Sequence, residues 1–354
     1  MALVVVIFIG SIFLTLTGAT LLFSGLTLKT TSNLKIGTIG LQAADTGIHH
    51  ALVKIPAGTD FTYSLPTEVV PSTAHPSTSG FRYSVTAVNT AGGTQAILTS
   101  TSEGPNQAKK VIVAYIGRSS TFQPPGATYL PGAADKIETQ LTGNATVSGY
   151  DHDINGNQII GATSIPAIAT TDPNTTSEIP PTINRPELIT GSGGTPSVAT
   201  SSIQIDVNAL AARLLTFPHD VVIGGSYSNL IMGTPEAPKI TRITGPVHFS
   251  GSETQSSGVG VLIIEGDLQI SGNFNFKGLV IALGDVDVQI SGNGLIIGAL
   301  MVPESTNVDG PPELKISGNG TIKYSSAAIN DYVATNWGSA LPKPAKLLAW
   351  QQKF

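Results

Sequence analysis

The sequence predicts an α+β protein: a long N-terminal helix, a β-rich headgroup, and a C-terminal β-solenoid or β-sandwich domain. Three observations predict it. Residues Met1 to Leu28 carry no charged side chain and are dense in Val, Ile, Leu and Phe. Only 12% of the 354 residues are charged, against 39 glycines and 23 prolines, a balance that favours turn-rich β structure. A short motif, Gln/Lys-Ile-Ser-Gly-Asn, recurs three times near the C-terminus.

The helix is argued first. An apolar run of about 20 residues suffices to cross a bilayer, and a single span satisfies its backbone in lipid only as a helix. The basic start, short apolar core and small-residue cleavage site of a secretory signal are missing, so the segment is expected to be retained. Apolar residues then continue at helical spacing through Leu34, Ile36, Ile39, Leu41, Ile48, Ala51, Leu52 and Ile55, up to Pro56. A helix over 1–55 would be about 80 Å long. Gly18 and Gly25 are the expected points of loosening, since glycine costs a helix roughly 1 kcal/mol against alanine.

The start Met1-Ala-Leu-Val-Val-Val-Ile-Phe-Ile-Gly10 and the later Leu41-Gln-Ala-Ala-Asp-Thr-Gly-Ile-His-His-Ala-Leu52 resemble the N-terminal region of type IV pilins, most of all the PilX-type minor pilins. The resemblance covers roughly residues 1–55. It implies a fold with a β headgroup on the helix's C-terminal half, and a terminus at Met1 that is processed by prepilin peptidase and methylated. It also implies a filament core built from residues such as Met1, Val5, Phe8, Phe13, Leu16, Gly18, Phe23 and Leu28. The implied partners are copies of the chain or other pilins, the inner membrane before assembly, and the pilus assembly machinery. One departure stands out: most type IV pilins carry Glu at position five, paired with a neighbour's terminal amine, and this chain has Val5. An unpaired buried ammonium costs several kcal/mol. Thr15, Thr17, Thr20 or carbonyls near Gly18 are candidate acceptors; a place at a filament tip is the alternative.

The rest of the chain divides by composition. Over 56–125, Phe81–Val88, Thr94–Ser100 and Val111–Ile116 alternate in the strand manner, with turns at Asn89–Gly93 and Glu103–Asn106. Residues 126–202 read as an irregular Gly/Pro/Thr-rich segment, with an extended linker at Thr163–Ser202. The repeat domain covers 203–331 and opens with a short helix in Ile203–Leu215, capped by Asp206 or Asn208. Its copies begin at Leu268, Val288 and Leu314, steps of 20 and 26, and the longer step fits a loop within Pro303–Pro312. Looser copies run from Leu141 to Gly149 and from Ile243 to Gly251. A period near 20 residues with Gly-Asn turns suggests stacked coils. Ile270, Ile290 and Ile316 would then form one inward column, Phe276, Ile296 and Ile322 another, and Asn273, Asn293 and Asn319 an amide ladder. A tail, 332–354, carries Trp337 and Trp350 and reads as a cap on the solenoid or a docking segment.

Candidate chemistry is sparse. Asp151, Asp153, Asn155 and Asn157 place oxygens at positions 1, 3, 5 and 7 of a calcium-type loop with Gly156 at position 6, but Ala162 stands where the bidentate Glu belongs. Asp267, Asp287 and Glu313 align as a carboxylate column, with Glu265 and Asp285 beside it. Paired carboxylates can cleave glycosidic bonds, yet the flanking glycines favour solvated turns. His49 and His50 point about 100° apart on a helix, poor geometry for chelation. Asn144, Asn174 and Asn319 lie in Asn-x-Thr sequons. With no cysteine, disulfides and thiolate sites are excluded. A net charge of −5 without a basic run argues against nucleic acid as a partner.

These readings point to a structural subunit of an extracellular, type IV pilus-like filament, not an enzyme, with no cofactor beyond the calcium candidate. The alternatives are a membrane-anchored surface adhesin that never polymerises and a secreted carbohydrate-active solenoid enzyme.

Overall fold

The computed structural model describes residues 2–90, 92–132, 139–251, 255–283, 288–303 and 314–353, with side chains from residue 9 onward. It divides into two compact units. The first comprises Met1–Ile55, Asp60–Gly117 and Lys346–Phe354, and the second Pro56–Thr59 and Arg118–Ala345.

In the first unit one helix runs unbroken from Ala2 to Lys54. Gly18 and Gly25 do not loosen it, contrary to the expectation from propensity. In an apolar run the backbone has no better partner than its own i−4 carbonyl, and that outweighs the cost of the glycines. The helix's last four turns pack on a five-stranded sheet ordered Thr67–Ala74, Arg82–Asn89, Gln95–Glu103, Lys109–Arg118, Ala345–Lys353. The pairings among the first four strands are antiparallel. The buried helix face is built from small residues: Gly40, Ala43, Ala44, Gly47 and Ala51, with Ile48 and Ile55. Leu34, expected on this face, is exposed instead. Small residues win because the sheet comes very close. An added Cβ at Gly47 would stand 3.0 Å from the Tyr83 ring and 3.1 Å from Val85. Ser102 Oγ donates to the Gly40 carbonyl at 2.6 Å, tying sheet to helix at a buried point.

The second unit is a coil stack. Its strands form one sheet, sixteen-stranded among the described residues, and each described pairing in it is parallel. The expected columns form. Phe249, Ile270, Ile290 and Ile316 stand in register, as do Phe276, Ile296 and Ile322. All are buried, at the roughly 4.8 Å repeat of paired strands. The amide ladder is also present. Asn293 Nδ2 donates to Asn273 Oδ1 (3.1 Å) and Asn319 Nδ2 to Asn293 Oδ1 (3.3 Å). It runs further than the three copies: Asn144 donates to Asn319 at 3.4 Å, and Arg185 Nη1 closes the end on Asn144 Oδ1 at 2.6 Å.

That extension corrects the reading of 126–202 as an irregular segment with a linker at Thr163–Ser202. The segment supplies the strands Thr128–Leu130, Thr139–Leu141, Thr146–Ser148, Ile168–Thr170, Ile189–Thr190 and Val198–Thr200. They stack beyond the last repeat: Leu141 follows Ile316, and Val147 follows Ile322. Strands of two or three residues need no apolar run of their own, because the neighbouring coil provides both ladder and core. The stack is therefore out of chain order. Asn293–Met301 pairs with Thr321–Tyr324 along Leu295–Gly298 and with Thr128–Tyr129 at Leu300–Met301, so one coil is shared by two distant segments.

The tail splits as well. Ile329–Ala334 winds as a π-helix that runs into Thr335–Trp337, and Ile329, Val333 and Trp337 cover the apolar outer face of the stack. The helix Val207–Leu214 covers the same face with Val207, Leu210 and Leu214, capped by Asp206, whose Oδ1 accepts from Ala209 N at 2.8 Å. The final strand joins the other unit's sheet. The loop expected within Pro303–Pro312 lies, apart from Pro303, outside the described residues.

One interior column carries a stability prediction. Thr241, Leu262, Val280, Leu300 and Thr128 are in register. Both threonine hydroxyls are buried with no hydrogen-bond partner among the described residues. An unpaired buried hydroxyl costs about 1–3 kcal/mol and an isosteric methyl removes that cost. Thr128→Val and Thr241→Val are each expected to stabilise the unit by about 1 kcal/mol, raising Tm by about 2–4 °C in a scanning-calorimetry trace. A fall in Tm for both would overturn it.

Candidate functional site

The free half of the N-terminal helix is the first feature with functional weight. From Ile9 to Gly25 every side chain described is exposed or half-buried, with Leu14 80% and Phe23 72% exposed, and among the described residues no element covers any face. A helix that is apolar all round belongs in lipid or among other helices. By length and composition it can cross a membrane. Burying each such Leu or Phe is worth about 1.5–3 kcal/mol, which sets a strong drive to cover this surface.

The threonines on it and just beyond it are already satisfied. Thr15 Oγ1 donates to the Ser11 carbonyl (3.0 Å), Thr17 to Phe13 (2.7 Å), Thr20 to Thr17 (2.9 Å), and Thr27 to Phe23 (2.8 Å). Donation to the helix's own backbone lets a hydroxyl sit in hydrocarbon and leaves its oxygen free to accept from a neighbour. At Gly18 and Gly25 an added Cβ would meet nothing within 4 Å. Seven residues apart, they lie on nearly one face, where a second helix can approach closely. Phe13, Leu16, Gly18 and Phe23 lie on this bare segment, and Leu28, just beyond it, is exposed as well. Met1 and the side chains of Val5 and Phe8 lie outside the described residues.

The calcium candidates do not converge. Asp151 is buried, and its two oxygens accept from Ser326 N (2.8 Å) and Ser326 Oγ (2.6 Å). Asp153 turns the other way and accepts from Asn155 N and Asn157 N with one oxygen and from Asn157 Nδ2 with the other. Those bonds, the Asn157 backbone N–H foremost, hold its carboxyl below the usual carboxylate range. The two carboxylates are thus committed to different partners, and the loop by itself does not gather the six to eight oxygens that calcium takes.

The carboxylate column is likewise dispersed. Glu265 is held bidentately by Arg242 (3.0 and 2.8 Å), a partner that sequence inspection had not assigned to it. Asp267 is exposed, and Asp285, Asp287 and Glu313 lie outside the described residues. His49 sits 3.8 Å from Asp45 on the helix surface, whereas His50 Nδ1 meets the Tyr83 hydroxyl at 3.0 Å. Of the sequons, Asn144 and Asn319 are bound into the amide ladder and Asn174 is exposed.

The shared coil holds a feature that sequence inspection missed. Where the early and late segments meet, Ser325 Oγ donates to the His152 carbonyl (2.7 Å) and caps Ala328 N (3.0 Å), while Lys323 Nζ donates to the Gly156 carbonyl (2.9 Å). Beside this network opens a cavity of about 260 Å³ lined by residues 121–123, Asp151, Thr163, Tyr324, Ser326, Ile329 and Asn330. Burial pushes the Tyr324 phenol up to about 12, with the Asp151 charge adding to it. Its residues are drawn from four separate stretches of chain, so no local motif could have signalled it.

No protein-family model matches the chain, and no curated protein matches it. Among solved structures it is similar to the crystal structure of the competence-associated pilin ComZ from Thermus thermophilus. The identity is 14% and the TM-score 0.25, over 90% of this chain and 96% of that one. A TM-score of that size leaves the two backbone courses largely different, and nothing about the present chain is drawn from that protein.

Proposed function

We propose that the chain is a structural subunit of a type IV pilus-like filament on the cell surface. One observation carries the reading: a single unbroken helix has its C-terminal half seated on a sheet and its N-terminal half apolar and bare on every side. Before assembly that half lies in the inner membrane. The assembly machinery then moves it into a bundle of like helices from copies of the chain or other pilins, exchanging lipid for helix neighbours. Little new hydrophobic drive is needed for that exchange, so close packing decides it, and Gly18 and Gly25 supply the smooth face. On this reading Met1 is the processed, methylated end, and back-bonded threonines such as Thr15 and Thr17 take the place of the missing carboxylate as acceptors for a neighbour's amine. The residues beyond about 56 remain outside the helical core, available for adhesion or lateral contact. The role is mechanical and requires no cofactor.

Electron microscopy of sheared cell-surface material, with mass spectrometry of its subunits and of the N-terminal peptide, tests this. The chain is expected within filaments. Its recovery only from membranes, with no filament containing it, would sink the assignment and leave an anchored adhesin.

A further inference from the structure

We propose that the cavity beside the shared coil of the solenoid binds a single neutral sugar unit of pyranose size. Its volume, about 260 Å³, lies just under the range of drug-sized pockets, which begin near 300 Å³. One six-membered ring with its hydroxyls fills such a space.

The floor and the rim differ in a way that fits a polyol. The floor holds Asp151, Tyr324, Phe122 and Ile329, all buried. The Tyr324 ring is buried, with 5% of the residue exposed, and its hydroxyl opens onto the cavity it lines. A phenol placed so can exchange a water for a ligand hydroxyl as donor or acceptor. Asp151 already accepts two bonds from Ser326, and a carboxylate has about four acceptor positions, so two remain. That leaves an acceptor pair for adjacent ring hydroxyls, next to a phenol that can both give and take a proton. The rim adds the exposed amides of Gln123 and Asn330, neither side chain bound within the described protein, and the hydroxyls of Thr121 and Thr163. Amides and carboxylates of this kind read a diol. The apolar wall of Phe122 and Ile329 suits the C–H faces of a sugar ring.

The same lining excludes other ligands. It contains no Lys, Arg or His, and its one charge is negative, so phosphates and carboxylates are repelled. A single carboxylate is too few for a divalent cation. Asn330 sits in the π-helical turn Ile329–Ala334, a departure from regular helix that is frequent where side chains serve a ligand. The site is built within the solenoid unit alone, so it holds whether the chain polymerises or stays anchored.

The test uses the full chain in a zwitterionic detergent that carries no sugar head group. D-glucose, D-galactose, D-mannose and N-acetyl-D-glucosamine are titrated singly and followed by saturation-transfer NMR. At least one is expected to bind saturably. Tyr324→Phe, which keeps the ring and its packing, is expected to weaken that binding about tenfold, the equivalent of one lost hydrogen bond at about 1.4 kcal/mol. Asn330→Ala, on the exposed rim, gives a second reading that does not disturb the core. The proposal is overturned if no sugar saturates below roughly 20 mM, where binding is worth only about 2 kcal/mol. It is equally overturned if both variants bind as the parent does, or if methylammonium competes at the same concentration as the sugar. Filament formation by Tyr324→Phe is scored separately, so a failure of sugar binding and a failure of the filament reading cannot be confused.

Discussion

Gly278→Ala is expected to destabilise the coil stack by about 4 kcal/mol. Gly260, Gly278 and Gly298 stand in register in three successive coils, each with φ between +120° and +141°, a conformation that L side chains rarely adopt. A Cβ at Gly278 would press into the carbonyl oxygen of Gly260, and one at Gly298 into that of Gly278. These contacts are backbone on backbone, so no side chain can swing aside. Strain at the positive φ costs about 1–3 kcal/mol, and forcing two coils apart adds about 1–3 kcal/mol. A total near 4 kcal/mol is in the range that single substitutions reach only through such specific defects. Gly161 separates the two terms: its φ is +83°, but an added Cβ would meet nothing within 4 Å. Gly161→Ala should therefore cost about 1 kcal/mol. Guanidinium unfolding followed by circular dichroism compares the two. If Gly278→Ala matched Gly161→Ala, the close coil approach would be wrong.

The second large effect is expected at Leu16. It is 61% exposed in the middle of the bare apolar half of the helix. Leu16→Lys would place a charge near the bilayer centre at a cost of about 2.5–3.5 kcal/mol, and the cost in a dry helical bundle is several kcal/mol when the ammonium has no partner. Roughly 3 kcal/mol is a factor of more than 100 in an equilibrium. The variant should disappear from sheared filaments while its solenoid unfolds at the parent's denaturant midpoint. Leu34→Lys is the control. Leu34 is also exposed but lies beyond the first charged residue, Lys29, and this substitution should assemble as the parent does. Equal loss for both variants would mean that the apolar segment has no special role.

What the sequence revealed depended on how much of each signal was local. The helix was legible because uncharged length alone identifies it, and the coils at Leu268, Val288 and Leu314 because their copies share four consecutive residues, Ile-Ser-Gly-Asn. The Asn273–Asn293–Asn319 ladder followed from that alignment. Its continuation to Asn144 and Arg185 did not, since it needs coils that stack in an order different from that of the chain. Ile168–Thr170 and Ile189–Thr190 are too short to alternate, and their pairing partners lie far away, so Thr163–Ser202 looked like linker. The helix face was misjudged at Leu34 because periodicity weighs large apolar residues, whereas Gly40, Ala44 and Gly47 set the approach of the sheet. At 151–157, likewise, spacing cannot show that Asp151 accepts from Ser326 while Asp153 bonds within its own loop.

The final strand, Ala345–Lys353, completes the sheet that Thr67–Ala74 begins, and the whole solenoid is inserted between its last two members. Each sheet is therefore completed only by a segment that lies far along the chain. Until residue 324 emerges, the coils of 126–202 have an open end where Asn293–Met301 and Thr321–Tyr324 belong. Until residue 353 emerges, Lys109–Arg118 remains a bare edge. Closing such distant pairings is slow, because the entropy of long loops must be lost before any contact repays it. Both units thus depend for closure on late segments, Asn293–Met301 with Thr321–Tyr324 for one sheet and Ala345–Lys353 for the other, and an early segment of either sheet stays open until its distant partner arrives.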